Sequence, residues 1–165
     1  MAQAVATLQV GDEQSSLVLS GTSDADGLLN IPVGVQQLLR QVLKHSPPTP
    51  GELEAAIAVI EDAVMPLHAL VPANAELQST DACIWDLALA VNPAAQGGMD
   101  LSIDAVEQLF DLLAALALGR PASIAGIPSD AGFAAALLMV RELMHHLHFN
   151  SLRVAGPQRQ PYVGK

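Results

Sequence analysis

The longest continuous helical pattern in the chain runs from Ser129 to Phe149. Its first half is apolar on every side, its second half is amphipathic, and its end carries three histidines. A helix that is apolar all round has to be buried inside protein. The pattern therefore predicts a long central helix over about 129–148, against which the other elements pack.

Short apolar segments near both ends of the chain predict strands. Residues 5–10 and 16–20 are rich in Val, Leu and Thr and are separated by a polar turn, which is typical of a β-hairpin. Residues 151–155 read as a closing strand, and residues 122–128 have room for a very short one. These segments predict a small, mostly antiparallel sheet.

Capping signals predict the starts of three further helices. Asn30, followed by Pro32, fits the N-cap of the first helix. Thr49 and Glu52 form the spacing of a capping box, and Ser102 caps a helix that Gly119 terminates.

The sequence gives weaker signals of secondary structure in two stretches between these helices. Residues 81–91 fit either a short helix capped by Asp81 or a buried strand. Residues 92–100 read as a loop. The whole pattern predicts an α+β fold with four or five helices, in one domain over residues 1–156 and a flexible tail over 157–165.

The composition is unusually apolar for a chain of 165 residues. Hydrophobic residues make up 51% and charged residues only 15%, against roughly 25% charged in an ordinary domain. This surplus predicts burial against a partner, most simply in a homodimer, and another protein partner is the alternative. Aromatic residues are 3% of the chain, which argues against a stacking platform for bases or sugars.

The net charge of −10 excludes several classes of partner. Nucleic acids and anionic membrane surfaces would be repelled. The apolar run over 131–140 is too short to cross a bilayer, and the first residues lack the features of a signal peptide. With a single cysteine no internal disulfide can form, so we expect a cytoplasmic protein.

The histidine cluster is the first candidate for chemistry. Glu142 and His145 have the spacing of helical metal ligands, and His148 lies on the same helical face as His145. A further ligand has to come from a distant segment, with His68 or Glu61 as the candidates. Because Arg141 would place a positive charge beside a cation, the favoured interpretation is a solvated helix end without metal.

The turn over residues 119–132 is a second candidate, for a small anion. It enters the N-terminus of the long helix, and Arg120, Ser123 and Ser129 are its candidate ligands. Its glycine spacing matches no phosphate-binding motif, and Asp130 would compete for the same N–H groups. The favoured interpretation is a plain capped turn.

The other reactive side chains do not form a recognisable motif. Cys83 lies between acidic residues, which raise a thiol pKa, so we expect it to be inert. The spacing of the acids does not fit a helix-loop-helix calcium site. Those acids are Asp81, Asp86, Asp100 and Asp104.

These observations favour a non-enzymatic protein-interaction or scaffold module without a cofactor. The first alternative is a metal-binding protein or metal-dependent enzyme that uses Glu142, His145 and His148, with His68 as a further ligand. The second is binding of a small anion at the 119–132 turn.

Overall fold

The structure, a computed structural model, describes residues 3–21 and 27–156. Within these ranges the chain forms six strands, six α-helices and a 3-10 turn at Met65–Leu67. The strands are β1 Val5–Gln9, β2 Ser15–Ser20, β3 Gly27–Ile31, β4 Glu76–Ser79, β5 Gly98–Ser102 and β6 Ser151–Ala155. The helices are α1 Val35–Gln41, α2 Pro50–Val64, α3 Ala82–Val91, α4 Ile103–Ala117, α5 Ala122–Ala125 and α6 Ala131–His146.

The α+β class is confirmed, but the sheet is larger than predicted and is mixed. Its strand order is β3-β2-β1-β4-β6-β5. The pairs β1·β4 and β4·β6 are parallel, whereas β1·β2, β2·β3 and β5·β6 are antiparallel. The prediction of a small, mostly antiparallel sheet missed β3, β4 and β5, each of which has only four or five residues.

The start of the first helix was predicted wrongly. The residues around Asn30 belong to β3, which pairs with β2, and α1 begins only at Val35. The N-cap is Gly34, whose N–H donates to the side-chain oxygen of Gln37. A side chain at Gly34 would lie 2.4 Å from the backbone of Asp12, so the β1–β2 turn can approach this helix start only at a glycine.

The predicted caps of α2 and α4 are confirmed. Thr49 Oγ1 accepts a hydrogen bond from the N–H of Glu52, whose carboxylate accepts from the N–H of Thr49 in return. Ser102 Oγ accepts from the N–H of Ala105. These bonds satisfy main-chain donors that have no partner within the helix.

Two ambiguous segments are helical. Residues 82–91 form α3, in which the side chains of Ile84, Leu87 and Ala88 are fully buried. Residues 122–125 form the single turn α5 in place of the predicted short strand. Within the described residues there are therefore six α-helices, one more than the upper number predicted.

Helix α6 occupies the centre of the helical layer, as predicted. Twelve of its 16 residues are buried, and it packs against α1, α2, α3 and α4. Ala134 and Ala135 have no exposed surface, and their small side chains allow neighbouring helices to approach closely. The predicted tail over 157–165 lies outside the described residues, and the single-domain boundary stays a prediction.

The helices cover one face of the sheet. Alternate strand residues such as Leu8, Leu17 and Leu152 are buried beneath them, which is the period of two expected for a half-covered sheet. The other face carries polar pairs such as Gln78 with Thr7. No described helix is long and apolar enough to cross a membrane.

Candidate functional site

The sheet reverses its direction of growth between β1 and β4. From β1 the chain adds β2 and β3 on one side, and it then returns to place β4 and β6 on the other. In open α/β sheets, ligands bind outside the carboxyl ends of the parallel strands at such a reversal. The topology therefore points to the edge where Gln9, Ser79 and Ala155 end their strands, here called the carboxyl edge.

Two side chains, one at the end of β4 and one just after it, join β4 to the end of β1 at this edge. Ser79 Oγ donates to the carbonyl oxygen of Leu8 at 2.9 Å and accepts from the N–H of Asp81 at 3.2 Å. Asp81 Oδ2 accepts from the N–H of Val10 at 2.6 Å. Asp81 is the backbone N-cap of α3, as predicted, but its side chain bonds to β1 and not to its own helix.

Three helices start at the carboxyl edge around a cleft of about 580 Å³. Its lining includes Val35 at the start of α1, Cys83 and Asp86 on α3, and Asp130 and Phe133 around the start of α6. Apart from the two carboxylates and the thiol the lining is largely apolar. The cleft has the size of a small-molecule site.

The charge of this edge is negative. Asp12 and Glu13 lie in the β1–β2 turn, and Asp81 and Asp86 lie at the start of α3. Arg40 of α1 is bound to Glu13 by two hydrogen bonds of 2.8 and 2.7 Å. An anionic ligand at this edge consequently needs a cation to accompany it.

Cys83 lies in the cleft wall but is not an activated nucleophile. Burial raises the pKa of its thiol, and Asp81 and Asp86 raise it further, to about 11. The thiol is thus protonated at neutral pH. This agrees with the inert cysteine expected from the acidic neighbours.

The histidines predicted as alternative metal ligands lie in separate places. His145 is paired with Glu107 of α4. His148 follows the end of α6 and meets the ring of His68, with the ring centroids 5.0 Å apart. Glu142 points to neither of these pairs, because its carboxylate is bound to Arg141 and His146.

A different set of side chains does converge at the end of α6. Glu61 of α2, Glu142 and His146 each present a ligand atom within 4.8 Å of the others. The sequence contained half of this signal, since Glu142 and His146 are four residues apart on one helix. Glu61 was named only as a distant candidate, and the packing of α2 against α6 brings it in.

In the predicted anion-binding turn, two of the main-chain N–H groups at the start of α6 already donate hydrogen bonds to side chains. Asp130 Oδ2 accepts from the N–H of Phe133, and Ser46 Oγ accepts from the N–H of Ala131. Arg120 and Ser123 are exposed, and Ser129 is half-buried. Anion binding at this turn stays a prediction.

Ser79 was missed by the sequence analysis as a site residue. It is buried, yet the segment around it, Glu76–Ser79, has only two buried positions and gives almost no strand pattern.

Of the four acids considered for calcium, Asp81 is bonded to Val10 at the end of β1 and Asp100 is paired with Arg153. Only the pairing of strands reveals these roles.

Comparison with known proteins finds similarity in fold alone. No family model matches the chain, and no curated protein sequence matches it. Among solved structures, it is similar to the Ppx/GppA phosphatase of Aquifex aeolicus, with a TM-score of 0.72 and 15% identity over 93% of this chain. It is also similar to an exopolyphosphatase from Cytophaga hutchinsonii, with a TM-score of 0.70 and 14% identity over 94% of this chain.

The chain spans about half the length of these structures, 53% of the first and 54% of the second. A third, described as an exopolyphosphatase-like protein, has a TM-score of 0.62 and is covered over 55% of its length. At 14–16% identity the similarity shows the fold.

These comparisons correct the function expected from the sequence. The prediction of a non-enzymatic protein-interaction or scaffold module is wrong, because the solved structures to which the chain is similar include a phosphatase and an exopolyphosphatase. The composition misled the prediction: apolar residues were counted as surplus, whereas α6 buries most of its surface in the core.

Proposed function

We propose that this chain is a phosphate-releasing hydrolase that binds the phosphate groups of its substrate at the carboxyl edge. The observation that carries the proposal is the fold, which is similar over 93% of the chain to a Ppx/GppA phosphatase. The exopolyphosphatase of the same fold suggests inorganic polyphosphate as the substrate to test first.

The reversal between β1 and β4 supports the position of the site. The β1–β2 turn and the start of α3 meet there through Val10 and Asp81. Main-chain N–H groups in a turn and at a helix start are ordinary donors to phosphate oxygens. These segments are held by hydrogen bonds to the neighbouring strand, so they form a rigid platform.

The negative charge of the edge decides how phosphate has to bind. Asp12, Glu13 and Asp81 would repel a bare polyphosphate. Magnesium is held in proteins by one or two carboxylates together with substrate phosphates. We therefore expect binding only when Mg²⁺ accompanies the polyphosphate.

Hydrolysis at this site releases one phosphate per water consumed. The oxygen of water bonds to the terminal phosphorus, and the bond from that phosphorus to the bridging oxygen breaks. The shortened polyphosphate leaves with the bonding electron pair, and the proton of water passes to an acidic side chain of the edge or to solvent. Stabilising the charge of the phosphoryl group in this step is mainly electrostatic.

The test uses the full chain with inorganic polyphosphate, with and without Mg²⁺. We expect released phosphate, and changes in the NMR amide signals of residues 10–14 and 80–83, only when Mg²⁺ is present. Asp12→Asn is expected to weaken binding roughly tenfold, the effect of losing about 1.4 kcal/mol at a charged contact.

Asp104→Asn provides the matched control for this variant. Asp104 is in the first turn of α4, which follows β5 at the opposite edge of the sheet, so the same chemical change should leave binding unaltered. The proposal would be overturned if the chain neither bound polyphosphate nor released phosphate. It would also be overturned if the signal changes were confined to the opposite edge. Binding at the carboxyl edge without phosphate release would overturn its hydrolytic step.

The homodimer and the cytoplasmic location expected from the sequence are part of this proposal. Leu118 at the end of α4 is 80% exposed and Ile124 of α5 is 65% exposed, which agrees with a contact between copies. Sedimentation equilibrium at micromolar concentration measures the mass. A single species of 17.2 kDa would count against the dimer.

A further inference from the structure

The last turns of α2 and α6 hold two carboxylates and one imidazole around a common point. His146 Nε2 lies 3.2 Å from Glu142 Oε2 and 3.4 Å from Glu61 Oε1. Glu142 and His146 are one helical turn apart, and Glu61 comes from the neighbouring helix. We propose that Glu61, Glu142 and His146 form a binding site for a divalent transition-metal ion, for which Zn²⁺ is the probe.

The distances fit the size of such an ion. Zinc is bound about 2.0–2.2 Å from nitrogen and oxygen ligands in a tetrahedral arrangement, which places the ligand atoms about 3.4 Å from one another. The separations of 3.2 and 3.4 Å from His146 Nε2 are close to this value, and the ligand atoms of Glu61 and Glu142 lie within 4.8 Å of each other.

The charges around the cluster favour a divalent cation. Glu142 is 97% buried, and its Oε1 is bonded to Arg141 at 2.7 Å. The same guanidinium donates to Glu107 Oε1 at 2.8 Å, so its charge is shared between two carboxylates. The carboxylates of Glu61, Glu107 and Glu142 together with Arg141 have a formal charge of −2 when the histidines are neutral. One divalent ion neutralises this charge.

Without an ion, the arrangement is electrostatically unfavourable. The buried carboxylate of Glu142 lies close to the carboxylate of Glu61, and like charges repel strongly where water is largely excluded. His146 Nε2 lies between the carboxylates of Glu61 and Glu142. A bound cation relieves their repulsion directly.

Arg141 also has a defined place outside the ligand set. Its guanidinium carbon lies 3.9 Å from the centroid of the Phe110 ring, which holds the side chain toward α4. It therefore occupies Oε1 of Glu142 and leaves Oε2 to the ion. Hydrogen bonds of this kind orient metal-binding carboxylates in proteins.

The nature of the donors selects the ion. An imidazole nitrogen suits zinc and the other late divalent metals, whereas magnesium prefers six oxygen ligands. His146 and Glu61 have side chains 29% and 39% exposed. The ion is thus accessible from solvent and has an open fourth position for water. The site would join the ends of α2 and α6.

The experiment titrates chelator-treated, tag-free full-length protein with Zn²⁺ against a chromophoric zinc chelator. We expect one ion per chain, a melting temperature raised by roughly 5 °C when zinc is in large excess over its dissociation constant, and no competition from millimolar Mg²⁺. His146→Gln and Glu61→Gln are each expected to weaken binding on the order of 100-fold or more.

Two histidine variants serve as matched controls. His145→Gln changes the adjacent residue, which is paired with Glu107, and should retain the ion. His148→Gln removes half of the ring pair with His68, which is the alternative surface site for zinc. Circular dichroism checks that each variant is folded. If His146→Gln does not fold, Glu61→Gln decides, since Glu61 is half-exposed and its loss leaves the buried pair intact.

Two results would overturn the proposal. One is the absence of stoichiometric zinc on the unmodified chain. The other is loss of zinc in His148→Gln or His145→Gln while His146→Gln and Glu61→Gln still bind. Both readouts concern the opposite end of α6 from the carboxyl edge, so they are independent of the hydrolase proposed above.

Discussion

The carboxylate of Asp81 and the main-chain N–H of Val10, 71 residues apart in sequence, form a hydrogen bond of 2.6 Å. Beside it, Ser79 Oγ donates to the carbonyl oxygen of Leu8. Two side chains thus fix the separation of the parallel strands β1 and β4 where the sheet reverses its direction. The proposed phosphate site rests on this junction.

Replacing Asp81 with Ala is expected to destabilise the protein. The half-buried N–H of Val10 would lose its acceptor, and such a loss lowers the free energy of unfolding by about 1–3 kcal/mol. Urea unfolding followed by circular dichroism measures the change. Asp86→Ala, at an exposed position of the same helix, should stay within about 0.5 kcal/mol of the unmodified chain; equal effects of the two variants would contradict the role of the bond.

The Cys83 thiol is expected to react slowly with iodoacetamide. Its pKa of about 11, against about 8.5 for a free cysteine, leaves on the order of 100-fold less thiolate at pH 8. The measurement compares alkylation rates of folded and urea-unfolded protein. Asp86→Asn should raise the rate in the folded state by removing one nearby charge. Equal rates in the folded and unfolded states would show that the thiol is not shielded.

Glu52 is expected to make stability dependent on pH. Burial acts to raise its pKa, but hydrogen bonds from the N–H of Thr49, the ring of His45 and the N–H of Lys44 outweigh it and lower the pKa from 4.5 to about 2. A carboxyl with a lowered pKa in the folded state stabilises that state above its unfolded pKa. This contribution is lost as the pH falls from about 4.5 toward 2.

The measurement compares the unmodified chain with Glu52→Gln in urea at pH 7, 4.5 and 3. The difference in unfolding free energy should be largest at pH 7 and shrink at pH 3. A difference that is constant over this range would mean that ionised Glu52 contributes nothing beyond what glutamine does.

Leu137 tests the central position of α6. Its side chain is fully buried, so Leu137→Ala removes core contacts and leaves a cavity, at a cost of about 2–5 kcal/mol. Leu28→Ala makes the same chemical change at a side chain that is 68% exposed and should cost less than about 0.5 kcal/mol. Similar effects at both positions would contradict the buried helix. Thermal or urea unfolding is sufficient for both.

Elements with local signals could be predicted from the sequence. The capping box of Thr49 and Glu52 and the cap at Ser102 each involve residues three apart, so the start of the helix is encoded where it forms. The periodicity of α6 is equally local. The hairpin of β1 and β2 and the closing strand β6 were found because their apolar residues alternate over five or six positions.

The missed strands depend on their neighbours. In Glu76–Ser79 only Leu77 and Ser79 are buried, and Gly98–Ser102 contains a single fully buried residue. Their hydrogen-bond partners lie far away in the chain, so no local pattern distinguishes them from loops. The segment around Asn30 was predicted wrongly for the same reason. It carries the local signal of a helix cap, but in the structure it forms a strand that pairs with β2.

The sequence by itself determined the α+β class, the buried central helix and the starts of α2 and α4, because each follows from patterns within a short segment. Only the tertiary structure decided which distant groups meet: Asp81 with Val10 across two parallel strands, and Glu61 with Glu142 and His146 across two packed helices. Those contacts depend on strand order and helix packing, which the summed burial of the whole core selects and no short segment encodes.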